Sequence, residues 1–169
     1  MNTHESHLLA QLLHSGQSHG RNRPLRRTAC EFVVEYGWWY TAAPLPDPLI
    51  RGKENECFMN AFFLALEQNE LVYVEGYAML DGGRRVNHAW LTDGQGNALD
   101  NTWPESGVAY AGVPFRINFV NVSHLKNRLL VCLIDDYVHD WPLLRELGDR
   151  PDEWLDPHGR GREKILIPR

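Results

Sequence analysis

Apolar residues recur at helical spacing over residues 4–14, where Leu8, Leu9, Leu12 and Leu13 share one face. Residues 28–40 are rich in β-branched and aromatic side chains and predict a strand. Pro44, Pro46 and Pro48 then make 41–50 an extended connection. Residues 56–69 read as a helix that is apolar nearly all round, which predicts a buried central helix with Asn55 or Asn69 as candidate end residues. Three strand-like runs follow at 71–80, 85–92 and 98–103, separated by glycine-containing turns at 81–83 and 93–97. Residues 128–135 predict a further buried strand. Asp140 is placed to cap a helix running through Leu147 and stopped by Gly148. Residues 150–169 hold a short helical piece around Trp154 and a basic tail. A central helix followed by antiparallel strands predicts an α+β fold.

The chain has 169 residues, which suits a single domain over 1–169. Within it, 1–27 reads as a helix and a basic linker (Arg21, Arg23, Arg26, Arg27), 28–150 as the core and 151–169 as a tail. Apolar residues make up 43% and charged residues 23%, enough apolar content to fold. A net charge of −5 argues against nucleic-acid binding by bulk charge. No apolar run reaches the ~20 residues needed to span a bilayer. The start lacks a basic segment followed by an apolar one, so a cytoplasmic location and no membrane partner are expected. His4, His7 and His14 roughly share a helical face, but no carboxylate or cysteine set joins them; no metal and no cofactor are expected.

The three cysteines, Cys30, Cys57 and Cys132, make neither a disulfide framework nor a thiolate metal cage, and leave room for one reactive thiol. Cys30 and Cys132 lie inside apolar strand patterns and read as core filler. Cys57 opens the central helix after the polar run 51–56, so its end of the helix is expected to reach solvent. Free N–H groups there favour thiolate, and with a histidine nearby a cysteine pKa of about 8.5 can fall to roughly 3.5–7.5. If residues 93–97 form the loop, Thr92 faces Ala98 and Trp90 faces Asp100. His88 and Asp100 then project from one face as diagonal neighbours, roughly 7–8 Å apart at the backbone. The expected roles are Cys57 as nucleophile, His88 as proton carrier and Asp100 as the group that orients the imidazole. The backbone N–H groups at 57–58, with the Asn55 side chain, are candidates for holding an oxyanion. Asn60, one turn further on, reads as structural.

The runs Glu56-Cys57-Phe-Met-Asn-Ala, Tyr73-Val-Glu-Gly-Tyr77, Asn87-His88-Ala-Trp90 and Leu99-Asp100-Asn-Thr-Trp103 resemble the core of papain-like and transglutaminase-like thiol enzymes. The resemblance covers roughly residues 55–104. It implies a buried helix carrying Cys57 packed on an antiparallel sheet carrying His88 and Asp100. It also implies a cysteine hydrolase or acyltransferase working through a thioester, with hydrolysis of a peptide, protein or small amide favoured. The residue after Asp100 is Asn101, where the family often has proline, and a glycine just before the cysteine is absent. A non-enzymatic alternative is an inactive relative that uses the same groove as a binding module.

Overall fold

A computed structural model describes residues 1–15, 27–127, 132–146 and 150–167. The fold is α+β, with the sheet closed into a small barrel. In chain order the elements are α1 (Thr3–His14), α2 (Ala29–Tyr36), β1 (Trp38–Ala43), α3 (Cys57–Glu67), β2 (Val72–Met79), β3 (Arg85–Thr92), β4 (Asn97–Leu99), β5 (Ala109–Phe115), α4 (Ile117–Asn127), α5 (Pro142–Glu146), α6 (Pro151–Trp154) and β6 (Glu163–Lys164). The sheet order is β4-β3-β2-β5-β1-β6, and β1 also pairs in parallel with β4, which closes the ring.

Side-chain alternation divides the strands between two cores. Tyr40, Val74, Ala78, Trp90, Ala98 and Tyr110 fill the barrel. Tyr73, Tyr77, Ala89, Leu91, Ala111, Val113 and Phe115 face outward and are covered by the helices, including Ala61, Phe62 and Ala65 of α3. The strands are thus buried on both faces, which is why their sequences run apolar without clean alternation. The barrel is narrow: a Cβ at Gly112 would lie 2.6 Å from the Trp90 ring, so only glycine fits there.

Four segments differ from the sequence expectation. The strand expected over 98–103 is only the three residues Asn97–Leu99. Residues 28–40 are not one strand but α2 followed by β1. Thr28 and Glu31 form a reciprocal capping box that starts the helix, and its turn at Gly37 leads into the strand. Residues 133–135 form bends rather than a strand, while 128–131 lie outside the described residues. Asp140 does not open a helix; it ends the 3₁₀ turn 137–139 in the left-handed region, and α5 begins at Pro142. Leu147 and Gly148 lie outside the described residues, as does most of the basic run, 16–26. The tail is built into the fold: β6 pairs with β1, and Trp154 packs against Phe32, Tyr36 and Phe115.

Candidate active site

The hairpin register is the one the loop length predicts. Leu91 pairs with Leu99, so Trp90 is level with Asp100. β4 ends at Leu99, Asp100 follows it directly, and bends at 101–102 lead the chain away. His88 Nε2 lies 2.7 Å from Asp100 Oδ2, with both side chains almost wholly buried. Tyr110 Oη also donates to Oδ2, at 2.9 Å, and the backbone N–H groups of Thr102 and Trp103 donate to Oδ1 at 2.9 and 3.0 Å. Burial pushes the Asp100 carboxyl up, but the His88 hydrogen bond and charge together with the Trp103 and Thr102 N–H groups outweigh it and hold the pKa below its ordinary value. Trp103 stacks on the imidazole at 3.8 Å between ring centres. Asp100 engages the Nε2 side of the ring, so Nδ1 is the nitrogen left for another partner.

Cys57 is the first residue of α3, and the cap residue Glu56 makes no side-chain cap hydrogen bond. The N–H groups of Ala89 and Phe58 point at the thiol. Cys57 therefore lies against the peptide that links His88 to Ala89. No hydrogen bond joins the thiol to the imidazole: His88 turns into the barrel beside Trp90, while α3 crosses the outer face on Ala89 and Leu91. The expectation that Cys57 reaches solvent and is acidified is not met. Its residue is only 8% exposed. Burial, with smaller contributions from the charges of Glu75 and Asp100, pushes the thiol up to about 11 against the pull of the two N–H groups.

The first turn of α3 is fastened to the loop that carries Asp100. Asn60 Nδ2 donates to Lys53 O at 2.7 Å and to Thr102 Oγ1 at 2.9 Å, and Asn101 Nδ2 donates to Asn60 O at 2.9 Å. Asn60 is thus a tie, as its position one turn inside the helix suggests. Asn55 neither caps α3 nor meets His88; it adopts a positive φ of 64° and lines a groove beside the helix.

Sequence reasoning missed Glu75. It is fully buried in the middle of β2, and its carboxylate accepts from Tyr73 Oη at 2.8 Å, Leu133 N at 2.8 and 2.9 Å, and Ile134 N at 2.7 Å. Burial pushes its pKa up to about 7 against these hydrogen bonds. A glutamate inside the apolar run Tyr73-Val-Glu-Gly-Tyr77 was the available signal, since a carboxylate buried in a sheet must find donors. Besides Tyr73, the donors it finds are backbone N–H groups of residues 133–134, more than 50 positions away. Asp135 accepts from Tyr77 Oη and Trp141 Nε1, each at 2.9 Å. Asp136 pairs with His139 at 2.8 Å, a partner the sequence did not reveal.

Between the tip of α3 and residues 132–139 lies a groove of about 590 Å³, lined by Asn55, Glu56, Phe58 and Met59 on one side and by Cys132 and 135–139 on the other. Cys132 is therefore a wall residue rather than core filler, whereas Cys30 is buried, with Arg85 Nη1 3.4 Å from its sulfur. Trp90 fills the barrel and Trp103 covers His88; neither lines this groove. His7 and His14 each bond within α1, to Gln11 and Ala10, and among the described residues no three His, Cys, Asp or Glu side chains gather as a metal site. No helix among them is long and apolar enough to cross a membrane. No family model matches the chain, and neither a curated protein nor a solved structure shows significant similarity to it.

Proposed function

We propose that the chain is a cysteine enzyme of papain-like or transglutaminase-like type, acting on an amide or related acyl group, with hydrolysis as the favoured outcome. The observation that carries the reading is the buried His88–Asp100 pair, with Nε2 against the carboxylate, on the residue next to the peptide that contacts Cys57. In the reaction the Cys57 proton passes to His88, and the sulfur–carbon bond forms at the substrate carbonyl. The carbon–nitrogen bond then breaks, the amine leaves with the proton from His88, and water cleaves the thioester. The Phe58 and Ala89 N–H groups, already directed at the sulfur, are the nearest backbone donors for charge that develops beside it. Because the resting thiol is held protonated and is not hydrogen bonded to His88, proton transfer requires a rearrangement, on substrate entry, that brings the Cys57 sulfur to the imidazole.

Incubation with p-nitrophenyl acetate tests the reading: a burst of nitrophenol with one acetyl group found on Cys57, absent in Cys57→Ala and slowed roughly 100-fold or more in His88→Ala, is expected. Acetylation spread evenly over the three cysteines contradicts it. The deep burial of the thiol favours one second reading, a non-catalytic binding module that uses the same groove; it predicts no burst and no His88 dependence.

A further inference from the structure

We infer that the groove between α3 and residues 132–139 is a subsite for an apolar side chain of a peptide-like amide, and that it excludes acidic side chains. The inference rests on the thiol-enzyme reading for the substrate's identity. The groove lies beside the first turn of α3, since Glu56 and Phe58, the two chain neighbours of Cys57, both line it. Its volume of about 590 Å³ holds a side chain with its flanking amide and falls inside the ~300–1,000 Å³ usual for ligand sites.

Its chemistry is set by what remains unpaired. The carboxylate of Asp135 is taken by Tyr77 and Trp141, and that of Asp136 by His139. The walls therefore offer a ligand mainly apolar surface from Phe58, Met59, Tyr137 and Val138. Tyr137 and Val138 stand 71% and 70% exposed at the lip, apolar area that an entering side chain would cover. Glu56, Asp135 and Asp136 put three carboxylates in the walls against one lysine, Lys53, 3.8 Å from Glu56, and His139 beside Asp136, so an acidic side chain meets repulsion as well as loss of its water.

The test compares Cys57 alkylation by N-acetyl-leucyl, N-acetyl-glycyl and N-acetyl-aspartyl chloromethyl ketones, in which the sulfur–carbon bond forms as chloride leaves, with iodoacetamide as the control without a side chain. Peptide mapping reports the modified cysteine. The leucyl reagent is expected to react roughly 10- to 100-fold faster than the glycyl one, and the aspartyl reagent more slowly than either. Val138→Asp, a change at an exposed position, should narrow the rate ratio between the leucyl and glycyl reagents. In parallel, Cys57→Ala protein is titrated with N-acetyl-leucinamide while the Met59 and Val138 methyl resonances are followed. Shifts at both methyls support the subsite whether or not Cys57 reacts. Equal rates for all three ketones without methyl shifts overturn it while leaving the thiol reading standing. Methyl shifts without any Cys57 alkylation overturn the thiol reading and retain the groove as a binding site.

Discussion

At Asp100 the geometry allows one arrangement of donors and acceptors. Oδ1 receives two backbone N–H groups, so it must be an oxygen, and Oδ2 faces His88 Nε2 and Tyr110 Oη. In Asp100→Asn the amide oxygen must therefore stay at the Oδ1 position, and the NH₂ group points at Nε2. His88 then has to accept there and carry its proton on Nδ1, the wrong tautomer for a base. The expected outcome is a variant that keeps its fold, whose imidazole proton is found on Nδ1 by ¹⁵N NMR and whose Cys57 reactivity toward acyl esters is lost. Tyr110→Phe removes one of the four donors and leaves the Gly107 N–H, which donates to Tyr110 Oη at 2.7 Å, without its acceptor. A loss of about 1–3 kcal/mol in urea unfolding is expected, with the Nε2 tautomer retained. The pairing of His88 with Asp100 was legible from residue spacing alone, because a five-residue loop sets the register and the register sets the face. The state of Cys57 was not: helix position argued for a low pKa, and burial reverses it.

At the scale of elements, Glu75 is the clasp that holds residues 132–136 against β2 and so shapes one wall of the groove. Glu75→Ala strands three buried donors, the Tyr73 hydroxyl and the N–H groups of Leu133 and Ile134. At about 1–3 kcal/mol each, this should cost more than about 3 kcal/mol. Glu75→Gln keeps an acceptor for the N–H groups and should cost far less. The raised pKa also fixes a sign: between an ordinary carboxyl value of 4.5 and about 7 the folded chain retains a proton that the unfolded chain has released. This contribution to stability is fully present below 4.5 and is lost as pH rises through about 7. Urea unfolding at pH 5 and pH 8 should show a loss on going to pH 8 that is smaller by about 2–3 kcal/mol in Glu75→Gln. The strands β2 and β3 and the helix α3 were readable because their patterns are long and bounded by turns. The helix α2 was misread because β-branched and aromatic content outweighed the Thr28–Glu31 capping signal that precedes it. The strand β5 carries Ala, Gly and Pro among its seven residues and resembles no strand until its neighbours bury both of its faces.

At the scale of the molecule, closure of the barrel depends on a pairing that no local pattern announces: Thr41, Ala42 and Ala43 run parallel to Asn97, Ala98 and Leu99. That contact, with Trp90 laid over Gly112, positions β3 and the Asp100 loop as one body beneath α3. Gly112→Ala should force the Trp90 ring to move and cost about 1–3 kcal/mol in thermal or urea unfolding, and the displacement should be visible in the Trp90 indole resonance. An unchanged stability would show that the barrel has more room than its packing indicates. The antiparallel part of this architecture was foreseeable from the sequence. The ring was not, because it joins segments more than 50 residues apart through small side chains that carry no pairing signal.

Catalysis requires Cys57 and His88 to act together, and the pH dependence of Cys57 acylation by p-nitrophenyl acetate, resolved by peptide mapping, measures that directly. In the native chain Cys57 should acylate near neutral pH, well below the about 11 at which burial lets the resting thiol ionise, because His88 takes the proton as the ester enters, and faster than Cys30 or Cys132. In His88→Ala, with that base gone, acylation must wait for the thiol itself to ionise, and the inflection should move up toward about 11. Identical profiles in the two proteins, or a native Cys57 that stays silent until pH approaches about 11, would contradict the pairing and with it the catalytic reading.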